Sequence, residues 1–208
     1  SLNLSLGSSD PEQLKRFQRP DLRRAFDQAL VLAEKHELQA VGYVIAAAPD
    51  QQAQSSVRDL LYLAERRVLA GLSIFYPAPG SPDYERCRQL GILPQSLSRL
   101  RASSLPIEHT TSRTEAVTLL RLSRILNYLK ALLDRGIGIP APAAPPDAPR
   151  LNPADRDAAG IELMRWFLYD GAVRGLAPDG EVYLHTTAPH LTRAFLEGLK
   201  GIQIRGCR

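Results

Sequence analysis

The sequence has few cysteines and no long run of apolar residues. Its two cysteines, Cys87 and Cys207, lie far apart in the chain, so they form neither a disulfide framework nor a metal-binding spacing. Such low cysteine usage suits a reducing compartment. The sequence also contains no signal-peptide pattern and no stretch of about 18 apolar residues. We therefore expect a cytoplasmic protein without a membrane partner.

Concentrated charge is absent as well. The chain carries 26 Lys and Arg against 22 Asp and Glu, a net charge of +4, and no block of like charge gathers it in one place. This excess is too small and too dispersed to indicate a nucleic-acid partner. Apolar residues make up 44% of the 208 positions, which is enough to build a sizeable core.

The first residues already have the pattern of a strand. The chain opens SLNLSL, in which Leu2, Leu4 and Leu6 alternate with polar residues, and its only methionine is Met164. A chain that begins inside an element is expected to be part of a longer polypeptide.

Strands and helices alternate through the first half of the sequence. LNLSL is a strand, and Asp10 and Pro11 then supply the cap and first turn of a short helix. DLRRAFDQALVLAEKH predicts an amphipathic helix, AVGYVIAAAP a strand covered on both faces, SSVRDLLYLAERRVLAG a second amphipathic helix and GLSIFYP a third strand. This order predicts a parallel sheet with crossover helices. Three strands cannot close a barrel, so the sheet has open edges.

The second half has a different organisation. SRTE at 112–115 is a capping box that opens a long helix reaching roughly to Asp134. A segment rich in proline and alanine follows and predicts a semi-rigid linker. We predict an α/β protein with four parts: a parallel sheet with its helices (1–95), a helical extension (96–138), a linker (139–153) and a small α+β tail (154–208). The resemblance described next implies that the first part is a partial (β/α) barrel.

Three blocks, in their order and spacing, resemble a known family. LNLSLGSSDPEQLKRFQR, GYVIAAAPDQ and GLSIFYPAPGSPDYERC are similar to the fourth, fifth and sixth strands of a radical S-adenosylmethionine (radical SAM) enzyme, each with its following loop. LPIEHTTSRTEAVTLLRLSRILNYLK and FLYDGAVRGLAPDGEVYLH resemble the region after the barrel in members that carry a cobalamin domain. The resemblance implies the C-terminal half of a barrel. It also implies S-adenosylmethionine and a 4Fe-4S cluster as cofactors of the full-length enzyme, with cobalamin as a possible third.

The resemblance also implies a set of cofactor contacts. Backbone atoms of the second strand would contact the adenine, the loop after the first strand would meet the ribose, and an arginine would bind the methionyl carboxylate. These roles fall on Tyr43, Val44, Ile45, Ala46 and Ala47 for adenine, on Ser8, Ser9 and Asp10 for ribose, and on Arg19 for the carboxylate. Simpler explanations stay open: Asp10 as a plain helix cap, Arg19 as a solvated helix-end residue, and the strand residues as core.

The stiff loop PAPGSP would form a wall of the substrate cavity, because active sites of parallel barrels lie at the carboxyl ends of the strands. This places Tyr76, Pro77, Pro79 and Gly80 in the cavity wall. The alternative is that Tyr76 and Tyr84 only pack on the prolines.

His109 precedes the capping box and is expected to make a local hydrogen bond. His185 and His190 span a turn and a proline, so they do not predict a metal pair.

Three departures from the family pattern matter for function. The CxxxCxxC motif that holds the cluster is absent, so the chain is predicted to contain no catalytic residue and no metal ligand. Ala47 stands where many members have glycine, and Gly7 where some have a ribose-binding glutamine.

Two hypotheses about the function of the chain follow. The chain is either the C-terminal part of a radical SAM enzyme, inactive without the missing N-terminal half of the barrel, or a cluster-free interaction or scaffold module whose open sheet edge pairs with a partner chain.

Overall fold

The chain is an α/β protein, and its computed structural model describes residues 1–96, 98–99 and 107–208. The described elements, in chain order, are β1 (Leu2–Gly7), α1 (Pro11–Arg16), α2 (Arg23–Lys35), β2 (Ala40–Ala46), α3 (Ala53–Ala64), β3 (Leu69–Ile74), α4 (Pro82–Gln89), α5 (Arg113–Asp134), α6 (Arg156–Asp170), β4 (Arg174–Leu176), β5 (Val182–Leu184) and α7 (Pro189–Lys200). None of these helices is long and apolar enough to cross a bilayer. The predicted extension 96–138 includes residues 97 and 100–106, which lie outside the described residues.

The main sheet is parallel, as the alternation of strands and helices predicts. Its strand order is β1–β2–β3, with Leu4 opposite Gly42 and Tyr43 opposite Gly71. Local signals also form as expected, because the Asp10 side chain accepts from the Glu12 N–H and the capping box at the start of α5 is complete. The register of β1 shifts between Ser5 and Gly7, so the strand ends in a bulge.

Within the part of the chain that the structure describes, helices cover only one face of this sheet. Leu6 and Val44 are fully buried on that face, in one core cluster with side chains of α2, α3 and α5. The layers approach so closely that a Cβ at Gly42 would lie 2.8 Å from Phe26 Cζ, which explains the glycine there. The other face carries the exposed side chains Asn3, Ser5, Tyr43 and Ser73.

The expectation that β2 is covered on both faces is therefore wrong for the part of the chain that the structure describes. Tyr43 is 38% exposed, and Val41 and Ile45 beside it are only partly buried. These apolar side chains on the open face made β2 resemble a strand buried on both sides. The strand therefore has apolar side chains on both faces, and only one of these faces is buried by described residues.

The two edges of the sheet also differ. On β3, Ala70 is bonded by α5: the Ala70 N–H donates to Asn127 Oδ1 at 2.8 Å, and Asn127 Nδ2 and Ser123 Oγ donate to the Ala70 carbonyl at 2.9 and 3.1 Å. On β1, Leu2 N–H donates to the Gln39 carbonyl, so the odd-numbered Asn3 and Ser5 direct their N–H and C=O groups away from β2. No described residue bonds those outer groups. The β3 edge is closed at Ala70, and the β1 edge is open.

The C-terminal tail packs on the rest of the protein. Its residues Phe167, Leu191 and Phe195 belong to the same buried cluster as the sheet. The buried Lys130 links the C-terminal segment of the tail to the end of α3. Its Nζ donates to the carbonyls of Ala64, Arg66 and Arg205 at 3.1, 2.7 and 2.7 Å. Residues 139–149, in the predicted linker, form neither helix nor strand.

We expect Asn127→Ala to lower the free energy of unfolding by about 2 kcal/mol, because it leaves the buried N–H of Ala70 without a partner. Arg124→Ala is the matched control, since Arg124 lies on the same helix with an exposed side chain. Urea unfolding of both variants measures the difference. Equal stability of the two variants would contradict the proposed closure of the β3 edge by α5.

Candidate functional site

The strands β1, β2 and β3 are parallel, so their carboxyl ends lie at the same end of the sheet. The loops that follow them surround a cavity of about 550 Å³. Its walls come from α1, from the loop after β2, from the end of β3 and from α4, and they include Gln13, Phe17, Asp50, Phe75 and Arg86. In open parallel sheets, ligands bind outside the carboxyl ends of the strands. This end of the molecule is the candidate functional site.

A buried aspartate that the sequence analysis missed holds the loop after β1. Asp59, in the middle of α3, is fully buried. Its carboxylate oxygens lie 3.0 and 3.1 Å from Ser8 Oγ, and one of them accepts from Ser9 Oγ at 2.7 Å and from the Ser9 N–H at 2.6 Å. Burial raises the pKa of Asp59 to about 6, against the opposing effect of the hydrogen bonds from Ser9 and Ser8.

This network engages both serines that the resemblance assigns to the ribose. Ser8 is completely buried, and the hydroxyls of Ser8 and Ser9 both donate to Asp59. Their ribose contact stays a prediction. Asp10, the third candidate, caps α1 and lies 3.5 Å from Arg58 Nη2. The capping explanation for Asp10 is confirmed.

Arg19 lies at the carboxyl end of β1, on the open side of the sheet. Its Nη1 donates to Ser5 Oγ at 2.8 Å, and Ser5 is exposed on the uncovered face. The same nitrogen would be in ordinary contact, at 3.4 Å, with a Cβ at Gly7, so the φ of 81° is what favours glycine there. A guanidinium has five N–H donors in a planar fork, and one of the Arg19 donors is used by Ser5. The others face solvent at the edge of the open face.

The loop after β2 has unusual backbone angles. Ala47 has φ of 61° and Asp50 has φ of 63°, in the left-handed region that favours glycine. Buried Gln51 braces this turn, because its Nε2 donates to the Ile45 carbonyl at 2.8 Å and its Oε1 accepts from the Ala48 N–H at 3.1 Å. The five residues assigned to adenine do not share one environment. Tyr43 and Ile45 lie on the open face, and Val44, Ala46 and Ala47 are buried.

Asp50 is held from three directions. Its carbonyl accepts from Arg16 Nη1 of α1 at 3.0 Å, its carboxylate pairs with Arg86 of α4, and its N–H donates to His109 Nδ1 at 3.3 Å. The hydrogen bond of His109 therefore reaches across to another loop instead of remaining local. Asp50 is therefore fixed by α1, by α4 and by the segment before α5, in a left-handed conformation that aspartate adopts more readily than most residues.

None of the four residues assigned to the substrate wall lines this cavity, although their neighbour Phe75 does. Tyr76 packs with Cys87 and Ile107, and its hydroxyl is buried without a partner among the described residues. Pro77 is buried, and Pro79 and Gly80 are exposed on the loop. Their role in binding stays a prediction.

Within the described residues, no three His, Cys, Asp or Glu side chains lie close enough together to hold a metal ion. His190 Nε2 lies 3.0 Å from Glu115 Oε1, and His185 packs its ring on Tyr183. The two histidines therefore have separate partners.

Comparison with known proteins adds no family to these observations. No protein-family model matches the chain, and no curated protein matches it.

The raised pKa of Asp59 predicts a pH-dependent stability. Because the folded pKa of about 6 exceeds the unfolded value of 3.8, the group stabilises the fold below about pH 4, and this contribution is lost as the pH rises through 6. The difference between these two pKa values corresponds to about 3 kcal/mol in the free energy of unfolding. We expect the stability of Asp59→Asn relative to wild type to rise by about that amount between pH 4 and pH 7. Urea unfolding at several pH values measures it. Asp147→Asn, at an exposed linker position, is the control and should show no such trend.

The left-handed backbone of Ala47 predicts an unusual response to glycine. Ala47→Gly should leave the stability unchanged or raise it by about 0.5–1 kcal/mol, because glycine adopts this φ without a Cβ penalty. Ala46→Gly, one residue earlier in β2, should lower the stability by about 1 kcal/mol. Thermal unfolding compares them. Equal losses in both variants would show that the Ala47 backbone is not strained.

Proposed function

We propose that the chain is the C-terminal, three-strand part of a radical SAM barrel and that it contributes part of the S-adenosylmethionine pocket. One observation carries the proposal: among the described residues, helices cover one face of the parallel sheet, α5 blocks the β3 edge at Ala70, and the β1 edge is unpaired at Asn3 and Ser5. If β1, β2 and β3 are the fourth, fifth and sixth strands of the barrel, the third strand of the barrel would pair with β1. The uncovered face of the sheet would then line the barrel interior. Asn3, Ser5, Tyr43 and Ser73 would then point into that interior.

Two features of the candidate site support the cofactor contacts. The Arg19 guanidinium lies on the open face at the carboxyl end of β1, with donors left over for a carboxylate. The left-handed φ of Ala47 occurs at the position where many members of the resembling family have glycine. That backbone angle gives a physical reason for glycine in relatives and makes the alanine here a tolerated exception.

The chain would bind and orient the cofactor, and the rest of the barrel would hold the cluster. Arg19 would fix the methionyl end, the backbone from Tyr43 to Ala47 would flank the adenine, and Asp59 would position the loop at Ser8 and Ser9. When bound, the cluster and cofactor supply the radical chemistry. A CxxxCxxC segment outside these 208 residues would provide the cluster ligands, so this chain alone should be inactive. A cobalamin domain is a further expectation from the post-barrel similarity.

A second candidate function rests on the open β1 edge itself. The outward N–H and C=O groups of Asn3 and Ser5 would accept a parallel strand from a separate chain as readily as one from the same polypeptide. In that case the protein would be a cluster-free interaction module. The reading frame upstream of the codon for Ser1 separates the two candidates, because only the enzyme requires an in-frame CxxxCxxC motif there.

Arg19 provides the test of cofactor binding. In the polypeptide that includes the upstream half, with its cluster reconstituted without oxygen, we expect Arg19→Ala to weaken S-adenosylmethionine binding by about 30-fold. Such a loss is typical when a charged hydrogen-bond partner is removed. Calorimetric titration measures the affinity. Arg24→Ala, an exposed arginine on α2, should bind as wild type does. Unchanged affinity in Arg19→Ala would remove Arg19 from the pocket.

A further inference from the structure

An apolar groove of about 480 Å³ lies against the predicted linker. It is lined by Leu133 of α5, Leu168 of α6, Leu199 of α7, Ile139 and Pro140 of the linker, and Ile204 after α7. Among the described residues that line this groove, Lys200 is the only charged one. Proline fixes its own backbone angle, so the linker wall of the groove is stiff. A groove of this size and composition is typical of a small-molecule site.

A second cavity, of about 380 Å³, adjoins the groove along α7. The two spaces share Leu168, Leu196 and Lys200 in their linings. The second cavity is more polar, because hydroxyl, carboxyl and guanidinium groups contribute to its walls. Arg193, Leu196 and Lys200 follow one another at i, i+3 and i+7, so they lie on one face of α7. The groove therefore has an apolar half beside the linker and a polar half beside Arg193.

The charges of the polar half leave one cation over. Asp170 pairs with Arg174 at 2.6 Å, and Glu197 pairs with Lys200 at 2.7 Å. Arg193 is exposed and forms no ion pair with any residue that the structure describes. Its guanidinium is therefore available to a ligand, and the planar fork of N–H donors matches a carboxylate.

We propose that the groove binds a free aliphatic monocarboxylate of medium chain length, as in a fatty acid. The alkyl chain would lie in the apolar half, between Leu199 and the linker, and the carboxylate would accept hydrogen bonds from Arg193. Apolar lining and charge complementarity favour the same occupant. A chain without a carboxylate would leave Arg193 unused, and a short carboxylate would leave the apolar half in contact with water.

This site goes beyond the proposed function. None of its residues is among those assigned above to S-adenosylmethionine or to the PAPGSP wall. Either proposal can therefore fail without the other.

The test uses decanoate, below its micelle concentration, as the probe. Isothermal titration calorimetry on the 208-residue chain measures its affinity. We expect saturable binding at one site. Octanoate, which is shorter by two CH₂ groups, should bind about tenfold more weakly, because each buried CH₂ contributes to binding. Decyltrimethylammonium, which has the same chain and the opposite charge, should bind at least about fivefold more weakly than decanoate.

Variants at Arg193 test the polar half. Arg193→Gln should weaken decanoate binding about fivefold and leave decyltrimethylammonium binding unchanged or tighter, because only the carboxylate loses a partner. Arg193→Lys keeps the charge and should retain more of the decanoate affinity than Arg193→Gln. A general disturbance of α7 would weaken both probes alike, so the two charges separate binding from folding.

A variant at Ile139 tests the apolar half. Ile139→Ser should weaken both probes, because it removes apolar surface from the linker wall. Ile137→Ser is the matched control, since Ile137 is 45% exposed against 40% for Ile139 and is not among the lining residues. This control should bind both probes as wild type does.

Four results would overturn the proposal. The first is no saturable binding of decanoate to wild type. The second is equal decanoate binding by Ile139→Ser and Ile137→Ser, which would place the alkyl chain elsewhere. The third is equal weakening of both probes by Arg193→Gln, which would refute the carboxylate. The fourth is a wild-type dimer in light scattering that Ile139→Ser dissociates and decanoate does not, which would assign the groove to a second copy of the chain.

Discussion

One-sided packing of the parallel sheet is the constraint on which the other features depend. Parallel sheets occur with both faces covered, because each strand is followed by a crossover that brings a helix to the sheet. Here the crossovers α2 and α3 and the later helix α5 all pack on the same face. Tyr43 and its neighbours on the second face are therefore at the surface, although their residue types suit an interior. A sheet built this way needs a further layer or the curvature of a barrel.

The same constraint separates the two edges. An unpaired strand edge is a liability unless it is blocked or paired. At β3 the block is made of side chains, since Asn127 replaces both hydrogen bonds that a fourth strand would make at Ala70. At β1 nothing comparable lies among the described residues. Asn127 and Ser123 of α5 thus block the β3 edge at Ala70, and no described residue blocks the β1 edge at Asn3 and Ser5.

Local signals in the sequence predicted most of the elements. Asp10 and Pro11 mark the start of α1, the pair Ser112 and Glu115 marks the start of α5, and the strand and helix periodicities indicate a parallel sheet. These signals succeed because each one depends on residues within a few positions of one another. The expectation of two covered faces for β2 failed because composition reports what a strand could bury, and burial depends on what the rest of the fold places there.

The residues that define the candidate site were harder to find for the same reason. Asp59 has a faint signal, since an aspartate on the apolar side of a helix, four residues before Leu63, invites a question about its partner. The partners, Ser8 and Ser9, are about fifty positions away in the sequence, and only the fold brings them within 3 Å. Gln13 indicates only a helix start, because it stands three residues after the cap Asp10, and its burial comes from the fold.

Asp59 shows how a buried polar group can hold the scaffold of a site. It receives hydrogen bonds from two hydroxyls and one backbone N–H, which hold the loop after β1 in one conformation. These bonds offset only part of the cost of its burial, because the pKa of Asp59 remains raised to about 6. The loop at the carboxyl end of β1, beside the candidate site, is therefore held by a group that lowers the stability of the fold at neutral pH.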